Sequence, residues 1–446
     1  YDTHGENPFI EVAEENLSTF GLDVDSASYS YARGQLNSGK MPDPLQIRTE
    51  EFINYFSYNP KAIKYSDESL SVSYEVGKAP WAPGHRLIKT IVQANEIPVA
   101  AAPPLNLVFL IDVSGSMLGE NRLGLAKYAL NVLVGELRKQ DRISIVTYAG
   151  TVGVPLKGAK GSEKEKIKDV INQLGAGGST AGGAGIQTAY EIAQDLHRKG
   201  KISRVVLSTD GDFNVGISDT KSLVNFVKKQ AESGVYLTVH GYGMGNFNDG
   251  MLEGITNVGN GNYAYIDNRV EAERVFRTQL SQTMVVAAKD VKVQMDFNPL
   301  TVKSYRLIGY ENRVLDNDDF IDVKVDAGDL GSGQRVVAFY EVIMREDAIE
   351  LFPIPLLTFN MRYKNPKNEE KVKQLALPFD DFYKETSGDF CFASSVAAFG
   401  LKLRQSRYIG EASFADIKSW VLKCNNGEQD PQRSDFVHFV DQAISL

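Results

Sequence analysis

Two aspartates and a group of serine and threonine hydroxyls stand at spacings that suit a hard divalent cation. Asp112, Ser114 and Ser116 fall at i, i+2 and i+4 of one run, Thr180 closes Gly177-Gly178-Ser179-Thr180, and Asp210 opens Asp210-Gly211-Asp212. A curled loop can turn alternate side chains inward, with Gly115 relieving crowding at the turn. All five donors are oxygens. That suits Mg2+, with Mn2+ or Ca2+ as alternatives, and the lack of histidine or cysteine in these runs disfavours zinc. Magnesium keeps several waters rather than taking a full set of protein ligands, so one position should stay open to a further oxygen. Asp-x-Ser-x-Ser alone could be a serine-rich turn or a helix cap. The three runs together, in this order, favour the cation. Asp212 is a candidate to orient a metal-bound water or to stabilise its own turn.

Such loops need a frame that brings them together. Residues 104–280 alternate strand and helix signals: an apolar run at Leu105–Ile111, a helical spacing of Leu123, Ala126, Leu130, Leu133 and Leu137, then strands at Arg142–Tyr148, Arg204–Thr209, Val235–Tyr242 and Asn262–Ile266. Helices are expected at Lys164–Leu174, Gly185–Lys199, Thr220–Ser233, Met251–Val258 and Val270–Thr283, with a hairpin through Val154–Leu156. This is the pattern of a doubly wound, mostly parallel α/β sheet, whose strands present their carboxyl ends, and so all three runs, at one rim. Asn246, Asn248 and Asp249 follow the strand ending near Tyr242 and are candidate partner contacts at the same rim.

On both sides of this region the period drops towards two, at Leu70–Val76 and Leu87–Ala94 before it and at Val291–Phe297, Val302–Ile308, Arg335–Ile343 and Leu356–Tyr363 after it. The expected organisation is an N-terminal helical segment over 1–66, a β-sandwich built from 67–103 and 284–370, an α/β domain over 104–283 inserted into it, and a helical region over 371–446. Helices are expected at Ser26–Leu36, with Ser26 as cap, and at Thr49–Phe56, Ala393–Arg404 and Ala415–Leu422. Another, Phe436–Ile444, is expected after Pro431 acting as a breaker.

The chain has 446 residues, 43% hydrophobic and 24% charged, with 57 acidic against 48 basic side chains and a formal charge of -9. These values fit folded domains and argue against nucleic acid as a partner, since no basic cluster stands out to neutralise phosphates. Cys391 and Cys424 lie in apolar helical surroundings and are expected as buried free thiols rather than a bridge. No apolar stretch is long enough to span a bilayer. The chain begins at Tyr1, not methionine, which suggests a removed export signal or lipid anchor; a trimmed start would look the same.

The Asp112, Ser114, Ser116, Thr180 and Asp210 pattern resembles the metal-ion-dependent adhesion site of von Willebrand factor A domains. By that resemblance the hydroxyls coordinate the metal directly, the aspartates directly or through water, and a partner's carboxylate completes the shell. The whole chain resembles a bacterial family in which such a domain carries characteristic N- and C-terminal segments. The stretches that carry this likeness are Glu6–Phe9, Thr19–Tyr29, Thr180–Ile186, Thr209–Gly216, Gly259–Asp267, Tyr305–Asn312 and Val396–Leu403. Membership implies an exported, envelope-associated protein.

The expected function is therefore metal-dependent binding of a protein that presents Asp or Glu, without catalysis. One alternative is a structural envelope protein whose metal only orders loops. Another is a subunit serving a partner's nucleotide chemistry, since this chain has no phosphate-binding P-loop. Asp23 and Asp25 also suggest a haloacid dehalogenase-type phosphatase. Against it, no βα pattern follows, and Ser26 suits a helix cap. The five histidines are scattered away from the motif. His240 reads as a core residue and His197 as a helix-end residue. Asp316–Asp319 lacks the ligand spacing of a calcium loop and reads as a solvated turn.

Overall fold

In the computed structural model the described residues are 5–22, 25–60, 62–98, 101–178, 183–211, 220–243, 249–278, 280–323, 325, 327–346, 354–366, 368–379, 385–424 and 431–446. The chain divides into two compact units, one of Tyr1–Ile97 with Val286–Leu446 and the other Pro98–Val285.

The first unit opens with β1 (Ile10–Glu11), β2 (Leu17–Gly21), α1 (Ala27–Asn37), α2 (Thr49–Tyr55), β3 (Tyr65–Ser66), β4 (Leu70–Lys78) and β5 (His85–Ala94). The second then supplies β6 (Leu105–Asp112), α3 (Leu125–Glu136), β7 (Arg142–Tyr148), β8 (Val152–Lys160), α4 (Lys164–Gln173), α5 (Gly183–Leu196), β9 (Ile202–Thr209), α6 (Thr220–Glu232), β10 (Val235–Tyr242), α7 (Asp249–Val258), β11 (Tyr263–Ile266), α8 (Arg269–Glu273) and α9 (Leu280–Met284). The chain returns to the first unit through β12 (Val286–Phe297), β13 (Val302–Ile308), β14 (Val314–Leu315), β15 (Gly328–Gly331), β16 (Arg335–Met344), β17 (Leu357–Asn365), β18 (Asn368–Phe379), α10 (Gly388–Leu403), α11 (Phe414–Lys423) and α12 (Pro431–Ser445).

The inserted unit is an α/β sheet in the order β11-β10-β9-β6-β7-β8, parallel except for the edge hairpin strand β8. Every residue of β6 is buried, as expected of a central strand covered on both faces. Its carboxyl end is held in register, Asp112 facing Tyr148 across the β6–β7 pair.

In the outer unit, β5 pairs with β16 from Arg335↔Gln93 to Ile343↔His85, so sequence from both flanks shares one antiparallel sheet, β1-β13-β16-β5-β4-β3. A second sheet, β14-β2-β12-β17-β18 with β15 beside β12, packs on it. The first sheet is buried on both faces. Val336, Ala338, Tyr340 and Val342 of β16 enter the core between the sheets, while the alternate residues Val337 and Phe339 join a second core with α1, α2 and the C-terminal helices. Period two places alternate residues on opposite faces, and with both faces covered the strand reads as an almost continuous apolar run.

Several expectations need correction. Leu17–Gly21 lies within the segment expected to be helical, yet it is a sandwich strand between β12 and β14. β18 extends the sandwich to Phe379, past the expected boundary at 370. Cys391 and Cys424 are not free thiols: they form a disulfide across 33 residues with Cα atoms 5.5 Å apart, joining α10 to the end of α11. Pro431 does not precede the last helix but begins it, where its missing N–H costs nothing. Ser26 stands at the cap position of α1 without a capping side-chain bond; instead Glu51 accepts from the Ser28 N–H at 2.8 Å. The helix expected over Val270–Thr283 divides into α8, a π-helical turn at Arg274–Thr278 and α9.

Candidate metal centre at the sheet rim

Parallel pairing of β6 with β7 and β9 aligns their carboxyl ends, so Asp112, Tyr148 and Thr209 with Asp210 meet at one rim. Asp112 is wholly buried, Ser114 is 1% exposed and Asp210 9% exposed. The Ser114 N–H donates to Asp112 Oδ1 at 2.8 Å, and the Tyr148 hydroxyl donates to Asp112 Oδ2 at 3.2 Å. Ser114 Oγ and Ser116 Oγ lie 2.9 Å apart. One carboxylate thus has both oxygens oriented, and two hydroxyls, two and four residues after it, stand side by side.

Main-chain bonds join this loop to its neighbour. Gly115 N–H donates to Gly178 O at 3.0 Å and Gly177 N–H to Val113 O at 2.8 Å, while Val113 N–H donates to Tyr148 O at 3.0 Å. Gly178 and Gly211 hold φ of 89° and 92°, a left-handed backbone that favours glycine, in the two loops that flank the aspartate pair. At Gly115 a Cβ would sit 3.4 Å from Gly178 O, an ordinary contact, so the crowding expected there is slight.

Burial pushes the pKa of Asp112 up. Bonds from Ser114 and Tyr148 pull it down, and the charge of Asp210 raises it again. Tyr148 is driven well above its ordinary value, first by burial and then by Asp112. A carboxylate whose ionisation is opposed by the charge of a second one, together with paired hydroxyls, is a donor set that a hard cation would relieve. Among the described residues no three His, Cys, Asp or Glu side chains gather as a metal cluster, so a cation held here would need the hydroxyls as donors. The residues present fit a magnesium-type ion in that respect.

Asp112, Ser114, Ser116 and Asp210 are therefore gathered as expected, while Thr180, Asp212, Asn246 and Asn248 lie outside the described residues. Asp249 opens α7, with its side chain also outside them. Sequence reasoning missed Tyr148 and Arg122. Tyr148 was open to detection, because aligning the ends of the two parallel strands sets it opposite Asp112. Arg122, whose NH1 donates to Ser116 O at 2.6 Å, had no comparable signal.

The histidines lie elsewhere. His197 Nδ1 is 2.8 Å from Ser203 Oγ, and burial, helped by the Arg204 charge, lowers His240 to about 3, leaving it neutral. The phosphatase reading loses its frame. Asp23 lies outside the described residues, and the strand before it, β2, is antiparallel within a sandwich rather than the nucleophile strand of an α/β sheet.

Fold and rim together define a protein carrying a von Willebrand factor A-type domain. The family model described as von Willebrand factor type A domain matches residues 107–212, one described as von Willebrand factor matches 1–89, and one described as the C-terminal part of the uncharacterized protein YfbK matches 282–446. The chain is 39% identical over 466 aligned positions to the uncharacterized protein YfbK of Escherichia coli (strain K12), spanning 99% of this chain and 80% of that protein. It belongs to this family of bacterial von Willebrand factor A proteins, a domain class commonly engaged in protein–protein interaction. A partial relative, the uncharacterized protein sll0103 of Synechocystis sp., is 32% identical over 182 residues, 41% of this chain and 42% of that one. Among solved structures, a von Willebrand factor type A protein from Catenulispora acidiphila aligns over 82% of this chain and 89% of its own at 14% identity, with a TM-score of 0.47.

Proposed function

We propose that the protein is a non-catalytic, metal-dependent binding module. Asp112, Ser114, Ser116, Thr180 and Asp210 would hold Mg2+ or Mn2+, and a partner's Asp or Glu would complete the shell. A bound cation supplies Lewis-acid affinity for that carboxylate. The chain's own residues orient Asp112, keep the hydroxyls together and exclude water from the buried side of the rim. The single observation that carries this reading is the meeting of two carboxylates and two hydroxyls at the ends of β6 and β9. Affinity for the partner would depend on the surrounding loops as well, because one carboxylate contact is a small part of any interface.

An exported, envelope location is supported by the Cys391–Cys424 disulfide, which suits an oxidising compartment. No helix among the described residues is long and apolar enough to cross a membrane.

Calorimetric titration of chelator-stripped protein with Mg2+ and Mn2+, followed by capture from an envelope fraction with and without chelator, tests the proposal. Saturable binding with a metal-dependent partner supports it. Metal binding without such a partner favours the loop-ordering role, and failure to bind either ion overturns the metal centre.

A further inference from the structure

Arg122 stands in a π-helical turn, Glu120–Gly124, between the serine loop and α3. Such turns are rare and cluster at functional sites. Its NH1 donates to the main-chain oxygen of Ser116 at 2.6 Å. The rest of the side chain runs beneath Gly243, directly after β10. A Cβ at that glycine would lie 2.5 Å from Arg122 Nε and 2.7 Å from Arg122 Cγ, and Gly243 has a φ of 77°. The buried Tyr265 hydroxyl of β11 donates to Gly243 O at 2.5 Å.

We propose that Arg122 is a positioning residue for the metal centre, an inference that rests on the reading above. It fixes the peptide plane that carries Ser116, and hence the Ser114–Ser116 hydroxyl pair, against the end of β10. Cation affinity then depends on a guanidinium that gives the cation no electron pair. The planar, rigid fork of arginine suits such a bridge, and lysine would not reproduce it.

The sign of the effect separates positioning from electrostatics. A positive charge beside a dication repels it, so removing that charge should tighten binding if charge were all that mattered. Positioning requires the opposite.

The test is Mn2+ calorimetry on the metal-stripped full chain for wild type, Arg122→Gln, Arg122→Lys and Gly243→Ala, with thermal melting of each in chelator. Both arginine variants should weaken Mn2+ binding about tenfold or more, the range seen when groups that orient metal ligands are lost. Their melting in chelator should stay close to wild type. Gly243→Ala keeps the charge but displaces the side chain, and should weaken binding likewise. Affinity equal to or tighter than wild type in Arg122→Gln overturns the proposal, as does a loss matched by an equal fall in chelator stability. If wild type itself binds no Mn2+, the metal centre fails and this role with it; if wild type binds and the variants match it, only the role of Arg122 fails.

Discussion

Two buried acids of the outer unit, Glu341 and Glu75, and the aspartates of the α/β rim are treated in opposite ways. In the sandwich, Glu341 Oε2 meets Arg306 NH2 at 2.7 Å with both side chains 1% exposed, and His85 Nδ1 lies 2.5 Å from its other oxygen. Glu75 takes Lys89 at 2.7 Å and two bonds from Ser387. At the rim, Asp112 is oriented by a backbone N–H and a phenol while the charge of Asp210 opposes its ionisation. Buried charges met by opposite charges hold a fold in one arrangement. Like charges gathered with oriented hydroxyls are an arrangement that a bound cation would relieve, which is the basis of the metal-dependent role proposed for the rim.

The largest effect should come from the rim. Ser114→Ala combined with Asp210→Ala is expected to abolish saturable Mg2+ and Mn2+ binding in calorimetry, and retained binding would remove the distinction. Because it also relieves the repulsion on Asp112, Asp210→Asn should leave metal-free protein as stable as wild type or more so in urea. Arg306→Met should do the reverse. It leaves Glu341 in the core with His85 but without its arginine and should cost about 3–5 kcal/mol in urea unfolding, with Mn2+ affinity unchanged. A smaller loss, about 2–4 kcal/mol, is expected for Cys391→Ser with Cys424→Ser, read from the same unfolding curves with and without reductant.

The smallest expected effect sharpens the comparison, because Glu50 is a like-charge site inside the outer unit. Burial first, then the charge of Glu311, raises its pKa from 4.5 to about 7, while Arg404, 2.6 Å from Glu311, lowers it. A raised carboxyl binds its proton more tightly in the folded state. Its contribution is therefore full below 4.5 and is lost as pH rises through about 7. Glu50→Gln should flatten that decline, with a gain on the order of 1–2 kcal/mol at pH 8 over wild type in urea unfolding. An unchanged pH profile would mean that Arg404 already neutralises the site, as cations do elsewhere in this unit.

Much of the architecture was legible because its signals are local. Apolar runs such as Leu105–Ile111 mark buried strands, the spacing after Leu123 marks a helix, and hydroxyl and carboxylate residues in strand-end loops announce their chemistry wherever they meet. What was missed depends on partners far along the chain. Leu17–Gly21 is too short and too polar to read as a strand until it pairs with Asp296–Lys292. The strand β18, rich in Lys and Glu at its start, is recognisable only beside β17.

Residue types and their order were thus enough to determine that an α/β domain with an oxygen-rich rim is set within β-strands contributed by both flanks, because periodicity and side-chain chemistry are properties of short segments. Only the tertiary structure decided that Cys391 bonds Cys424 and that Arg122 reaches Ser116 from beneath Gly243. Each of these depends on a distance of a few ångströms set by packing, and no spacing along the chain encodes it.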